Sequence, residues 1–441
     1  MPALDILGLL MMMLTGASGD TVQNPAAGVP LALAEDRAAR VSNLRYELFF
    51  NIPESQTERV SGRVTVRFDL RDASKPLALD FAGGFAAIYP VNGARAELAD
   101  EHVVVPPAGL REGPNELTIE FQSADAPLNR NPEFLYALFV PARARQAFPV
   151  FDQPDLKARY TLTLEIPATW EAISNGAQTS RETGGERAMV RFAETQPIST
   201  YLFTFAAGRF QVEKGVRNGR EFRMLHRETD AAKVARNREA IFDLHAGALA
   251  WLEQYTGIPY PFGKFEFLLV PSFQFGGMEH PGSVFYNASS LFLDESATQN
   301  QKLGRASLIA HETAHMWFGD LVTMRWFNDV WMKEVFANFM AAKIVNPAFP
   351  DINHELRFFY AHYPSAYEVD RTAGTNAIRQ QLDNLNEAGS LYGAIIYQKA
   401  PIVMRHLEML LGEDTFRDGM REYLKDYAFG NATWTDLIAL L

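Results

Sequence analysis

Residues 311–334 read HETAHMWFGDLVTMRWFNDVWMKE. His311 and His315 stand four positions apart in LGRASLIAHETAHMWFG, a segment whose composition predicts a helix. Positions i and i+4 share one helix face, so both imidazoles can reach a single ion. Glu312 lies about 100° around the helix from His311, beside such an ion, where a general base is wanted. Glu334 follows His315 by 19 positions in a second predicted helix, VWMKEVFANFMAAKIV, with Trp331, Val335, Phe339 and Ala342 along one apolar stripe. Glu334 falls on that stripe, and an inward carboxylate is costly unless it is paired or bound to metal. Two His and one Glu leave the fourth tetrahedral position open, which is the catalytic arrangement of zinc. His311, His315 and Glu334 are therefore the expected ligands of one Zn2+. The ion would lower the pKa of its water to about 7 and polarise a carbonyl, and Glu312 would take the water's proton and return it to a leaving amine.

Outward from this stretch the chain divides by period. DAAKVARNREAIFDLHAGALAWLEQY, from Asp230, has apolar residues at helical spacing. A strand is predicted at FEFLLVPSF, then the glycine-rich segment FQFGGMEHPGSVFYN. Before Asp230 the pattern is that of strands: LRYELFFNI, GRVTVRFDL, NELTIEFQS, ARYTLTLEI and YLFTFAAGRFQVE, separated by Gly, Pro, Asn and Asp. The predicted architecture is multidomain. A possible signal segment and linker at 1–40 precedes an N-terminal all-β, sandwich-like domain over 41–213 and an α+β domain over 214–441. The final NATWTDLIALL reads as a helix cut in mid-course, so the chain is expected to stop before its natural end.

Composition narrows the function. Hydrophobic residues at 47% and charged residues at 21% match a folded, water-soluble chain. A net charge of −12 without basic runs argues against nucleic acid and favours a cationic ligand such as a free amine. With no cysteine, any metal must be held by His and carboxylates. The apolar run from Ile6 to Leu14 has the length of a secretory leader, although Asp5 is present and a basic leader is missing. Export to a periplasm or cell envelope is expected, with a cytoplasmic protein as the alternative. No later stretch approaches the roughly 20 apolar residues of an integral span.

The same residues resemble the aminopeptidase N family of zinc gluzincins from about residue 40 onward. The family's His-Glu-x-x-His followed after 18 residues by Glu is matched at 311–334, and its Gly-x-Met-Glu-Asn signature at Gly277-Met278-Glu279-His280, preceded by Gly276. AFPVFDQPDLKARYTLTLEIPATWEAISNG is similar to a family stretch in the β domain, and Tyr397-Gln398-Lys399-Ala400 to its Tyr-x-Lys-Gly. The resemblance implies a thermolysin-like catalytic domain and hydrolysis of single residues from peptides with a free N terminus. It implies that Glu279 binds the substrate's α-amine within a loop made by Gly276, Gly277, Met278 and His280, and that Tyr397 donates to the oxyanion, with Tyr392 as its rival. Asn328 and Asp329 are candidates for supporting the ligand imidazoles or for capping the second helix. The sequence departs from the family at His280 and Ala400. It also departs at Leu138 and Val140, where polar groups would complete the amine site, and at Ala341, where a Glu would support a ligand. The family's helical C-terminal domain would begin near the last residues. Three other readings stay open: a zinc endopeptidase, a bifunctional epoxide hydrolase and aminopeptidase, and an inactive zinc-binding scaffold fragment.

Overall fold

A computed structural model describes residues 25–441, so the apolar run at 6–14 lies outside the described residues. The strand Val41–Asn51 buries alternate side chains, Tyr46, Leu48 and Phe50, as a sheet with one covered face must. It sits in the middle of a seven-stranded sheet, antiparallel to Ser61–Leu70 and parallel to Arg159–Pro167. The buried row faces a three-stranded sheet of Glu171–Ser174, Phe205–Gly208 and Phe134–Tyr136. Aromatic rings fill the gap: Tyr46 stacks on Tyr160, Tyr160 on Phe203, and Phe50 lies 4.7 Å from Phe205. The N-terminal half is thus β-rich and layered, as the alternation predicts.

Two boundaries differ from the sequence expectation. Leu31–Arg40, expected as linker, forms a helix. Arg37 holds it down by donating to both carboxylate oxygens of Asp80 at 2.7 and 2.8 Å, with both side chains wholly buried. The predicted strand 201–213 also splits. Phe205–Gly208 stays in the β domain, whereas Gln211–Arg217 pairs with Arg220–His226 in the next sheet. A boundary at 213 therefore cuts a strand, and the second half begins near 211.

That second half is built on a five-stranded sheet in the order Gln211–Arg217, Arg220–His226, Phe265–Val270, Ser283–Asn287, Gly277–Met278. The helix Ala231–Thr256 packs on it through Phe242 and His245, both in ring contact with Phe267. Its start is capped by the Asp230 carboxylate, which accepts from the backbone N–H of Ala232 and Lys233, and its end by Gly257 at φ 72°. Gln299–Ala314 follows behind a Thr298–Gln301 capping box, and Val330–Val345 lies against it. Among the described residues no helix is long and apolar enough to cross a membrane.

Candidate metal centre and active site

The two facing helices bring the predicted ligands together. His311 and His315 come from the last turn of the helix Gln299–Ala314 and its cap, and Glu334 from the second turn of Val330–Val345. The Nε2 atoms of the two histidines are 3.1 Å apart, and Glu334 Oε2 is 3.6 Å from one and 3.9 Å from the other. Ligands about 2.0–2.2 Å from a tetrahedral ion stand about 3.3–3.6 Å from one another, so the triangle fits one ion. The tautomers agree with this. His311 Nδ1 donates to Asn338 Oδ1 and His315 Nδ1 to the Phe318 carbonyl, each at 3.1 Å. Both Nε2 lone pairs then point at each other, a repulsive contact that a cation between them relieves.

The support for the imidazoles differs from the sequence expectation. Asp329 instead holds Arg379, at 2.7 and 3.2 Å, and its side chain makes no cap bond. The helix Val330–Val345 is also buried nearly all round over its first two turns, while Ala342 at its far end is exposed. Glu334 faces inward because the whole N-terminal half of this helix does.

Glu312 is buried beside the ligand triangle, and its Oε2 has no hydrogen-bond partner. Burial pushes its carboxyl up to about 8, with Glu279 and Glu334 adding to the rise against His311. The edge strand Gly277–Met278 passes directly over it, and a Cβ at Gly277 would overlap the Glu312 carboxyl. The glycine is required by that close approach. Glu279, one residue on, has carboxylate oxygen within 4.8 Å of Glu312 and His315 ligand atoms. It is not free. Lys333 Nζ donates to Glu279 Oε1 and, at 2.9 Å, pairs with Glu334 Oε1. Burial opposes the Glu279 charge, but Lys333 and His315 together outweigh it and take the carboxyl down to about 2. His280 is fully buried with neither ring nitrogen partnered, and burial brings it down to about 3.

Tyr392 and Tyr397 stack with ring centroids 6.3 Å apart, Tyr397 in a short π-helical turn at Ile395–Lys399. Burial raises both hydroxyls' pKa. The Tyr392 hydroxyl is buried without a partner. The β domain reaches the site through Tyr201, whose ring lies 5.5 Å from Lys333 Nζ, and through Asn175, which donates to the Pro281 carbonyl at 3.0 Å. Leu138 and Val140 are buried in the hydrophobic core.

This geometry can be set beside known proteins. Residues 42–202 match the Peptidase M1 N-terminal domain and residues 241–441 the Peptidase family M1 domain. The chain belongs to peptidase family M1. It is 34% identical over 307 residues to "Probable aminopeptidase 1" of Sulfurisphaera tokodaii, covering 68% of this chain and 38% of that protein. It is 29% identical over 401 residues to "Leucyl aminopeptidase" of Saccharolobus solfataricus, covering 89% and 50%. Against "Puromycin-sensitive aminopeptidase" of Caenorhabditis elegans it is 35% identical over 298 residues, covering 67% and 31%. The chain thus spans a third to a half of the length of these curated relatives.

Within this M1 chain, sequence reasoning missed Lys333, Asn338 and Tyr201. Lys333 left a signal, as a lone Lys in the apolar segment VWMKEVFANFM must find a carboxylate when that face is buried. Tyr201 left none, because its contact depends on how the two halves pack.

Proposed function

We propose that this M1 chain is the catalytic part of a zinc aminopeptidase. The observation that carries the reading is the convergence of His311, His315 and Glu334 on one point, with the unpartnered carboxyl of Glu312 beside it. His311, His315 and Glu334 would hold a zinc ion, which when bound would supply a water of lowered pKa and polarise the scissile carbonyl. Glu312 accepts the proton of the attacking water and delivers it to the departing amine. Gly276 and Gly277 let the substrate backbone lie close to that carboxyl, with Met278 and His280 completing the loop around Glu279. Glu279 is the carboxylate placed to receive an N-terminal amine. Tyr397 or its stacked neighbour Tyr392 donates to the oxyanion, and the unpartnered Tyr392 hydroxyl makes it an equal candidate.

The test is hydrolysis of aminoacyl p-nitroanilides by the 441-residue chain, with and without chelator. Glu312→Gln is expected to lower kcat by about 10²–10⁴-fold while metal content stays at one per chain. An unchanged kcat in that variant would remove the general-base assignment.

A further inference from the structure

The two histidines are supported from different parts of the molecule. His311 Nδ1 donates to Asn338 on the facing helix Val330–Val345, so its support lies within the second half. His315 depends on the turn that follows it. Its Nδ1 donates to the Phe318 carbonyl at 3.1 Å, and its own carbonyl accepts the Asp320 N–H at 3.0 Å. Between those two residues Gly319 has φ 140°, and a Cβ there would stand 3.2 Å from His315 Nδ1. The path of residues 318–320 thus sets the orientation of this imidazole.

That turn is held from the other half. The N–H groups of Asp320, Leu321 and Val322 reach back five residues, to the carbonyls of His315, Met316 and Trp317, at 3.0, 3.1 and 3.3 Å. This is the spacing of a π-turn, wider than that of the α-helix it follows. The carbonyls of Asp320 and Leu321 face the β domain, where Lys157 Nζ donates to both, at 2.8 and 3.1 Å. Two carbonyls converging on one ammonium fix the turn at that point.

Lys157 can act as a clamp because its own backbone is anchored. The next residue, Ala158, exchanges two backbone hydrogen bonds with Ile198. The strand Arg159–Pro167 then starts, inside the seven-stranded sheet. Three residues before Lys157, the Pro154 carbonyl accepts from Asn431 Nδ2, which also donates to the Met324 carbonyl, each at 3.0 Å.

We propose that Lys157 is a positioning residue of the metal centre. From the β domain it fixes the turn after the metal-binding helix, and through that turn the His315 imidazole, so that one half of the molecule sets the metal affinity of the other. This rests on the zinc reading above and adds to it a residue that touches neither metal nor substrate.

The experiment compares Lys157→Met with Asn175→Ala. The second variant also breaks a bond between the halves, to the Pro281 carbonyl, but does not touch the turn. In the zinc-free 441-residue chain, hydrogen exchange in peptides spanning 316–322 should quicken in Lys157→Met and stay at the wild-type rate in Asn175→Ala. Competition with a chelator should show zinc bound about tenfold more weakly by Lys157→Met alone. The visible absorption of the cobalt-loaded chain should shift in the same variant, because the His315 ring is no longer held in place. Lys157→Ala serves if the Met variant does not fold, and circular dichroism establishes that each variant is intact. Unaltered zinc affinity and cobalt absorption in an intact Lys157 variant overturn the inference, whatever the exchange shows, since the clamp is then structural only. An equal loss of affinity in Asn175→Ala overturns it too, by tracing the effect to a general loosening of the halves. A wild-type chain that binds neither zinc nor cobalt overturns the metal reading and this inference with it.

Discussion

Two buried ion pairs, one in each half of the molecule, carry similar charge and do different work. Arg37–Asp80 satisfies both carboxylate oxygens and leaves only the guanidinium Nε without a partner. The guanidinium is bidentate, Asp80 Oδ2 also accepts the Asp152 N–H at 2.8 Å, and His102 Nε2 lies 3.2 Å from Oδ1. It fastens the helix Leu31–Arg40 to the strand Leu77–Asp80. Lys333–Glu279 is surrounded instead by polar groups without partners, next to three side chains converging on a metal position. Both Asp80 oxygens are satisfied although Arg37 Nε has no partner, whereas the unpartnered groups around Lys333–Glu279 stand beside a candidate metal position, as a ligand-binding pair requires.

The contrast can be broken or sharpened by experiment. The largest effect is expected from Arg37→Met, which strands the Asp80 carboxylate and should cost about 3–5 kcal/mol in denaturant unfolding of the N-terminal half. Metal content should not change. If Lys333→Met costs as much stability in the zinc-loaded protein, the distinction between scaffold and site fails.

Metal removal should act on the other half. Zinc at a hundredfold excess over its Kd is expected to stabilise the catalytic half by about 2.7 kcal/mol, seen as a shift of its thermal transition. Hydrogen exchange in the strand Val41–Asn51 should be unaffected. Equal protection of both halves on zinc binding would show the two to be one cooperative unit.

The smallest effect is in pH. Burial alone would raise the Asp80 carboxyl, but Arg37 and His102 outweigh it and hold it below its ordinary 3.8. A depressed carboxyl contributes stability above the unfolded value and loses it as pH falls through the folded one. The stability gap between wild type and Asp80→Asn should therefore be constant above about pH 5 and narrow below about pH 4. A gap that widens on acidification would mean that Asp80 is protonated in the folded chain.

The strands and helices that hold the site were largely legible because their side-chain period is local. Val330–Val345 begins and ends where its apolar pattern does, and Ala231–Thr256 carries its cap in Asp230. The segment 201–213 was misread as one strand, since alternation does not tell which of two sheets each part joins. Leu31–Arg40 was misread as linker because its helix is fastened by Arg37 to a strand some forty residues away.

Spacing alone pointed to the proposed metal ligands His311, His315 and Glu334. Residues four apart on a helix share a face whatever the rest of the chain does, and a further Glu on a facing helix completes the set. Tertiary structure alone decided the state of Glu279. Its partner Lys333 is 54 residues away in sequence, and an ion pair depends on distance in space, which no local period encodes. The same holds for Asn338 on His311 and Tyr201 under Lys333. Which carboxylates are open to a ligand amine was therefore settled by packing between the edge strand Gly277–Met278 and the helix Val330–Val345, after the chain had folded.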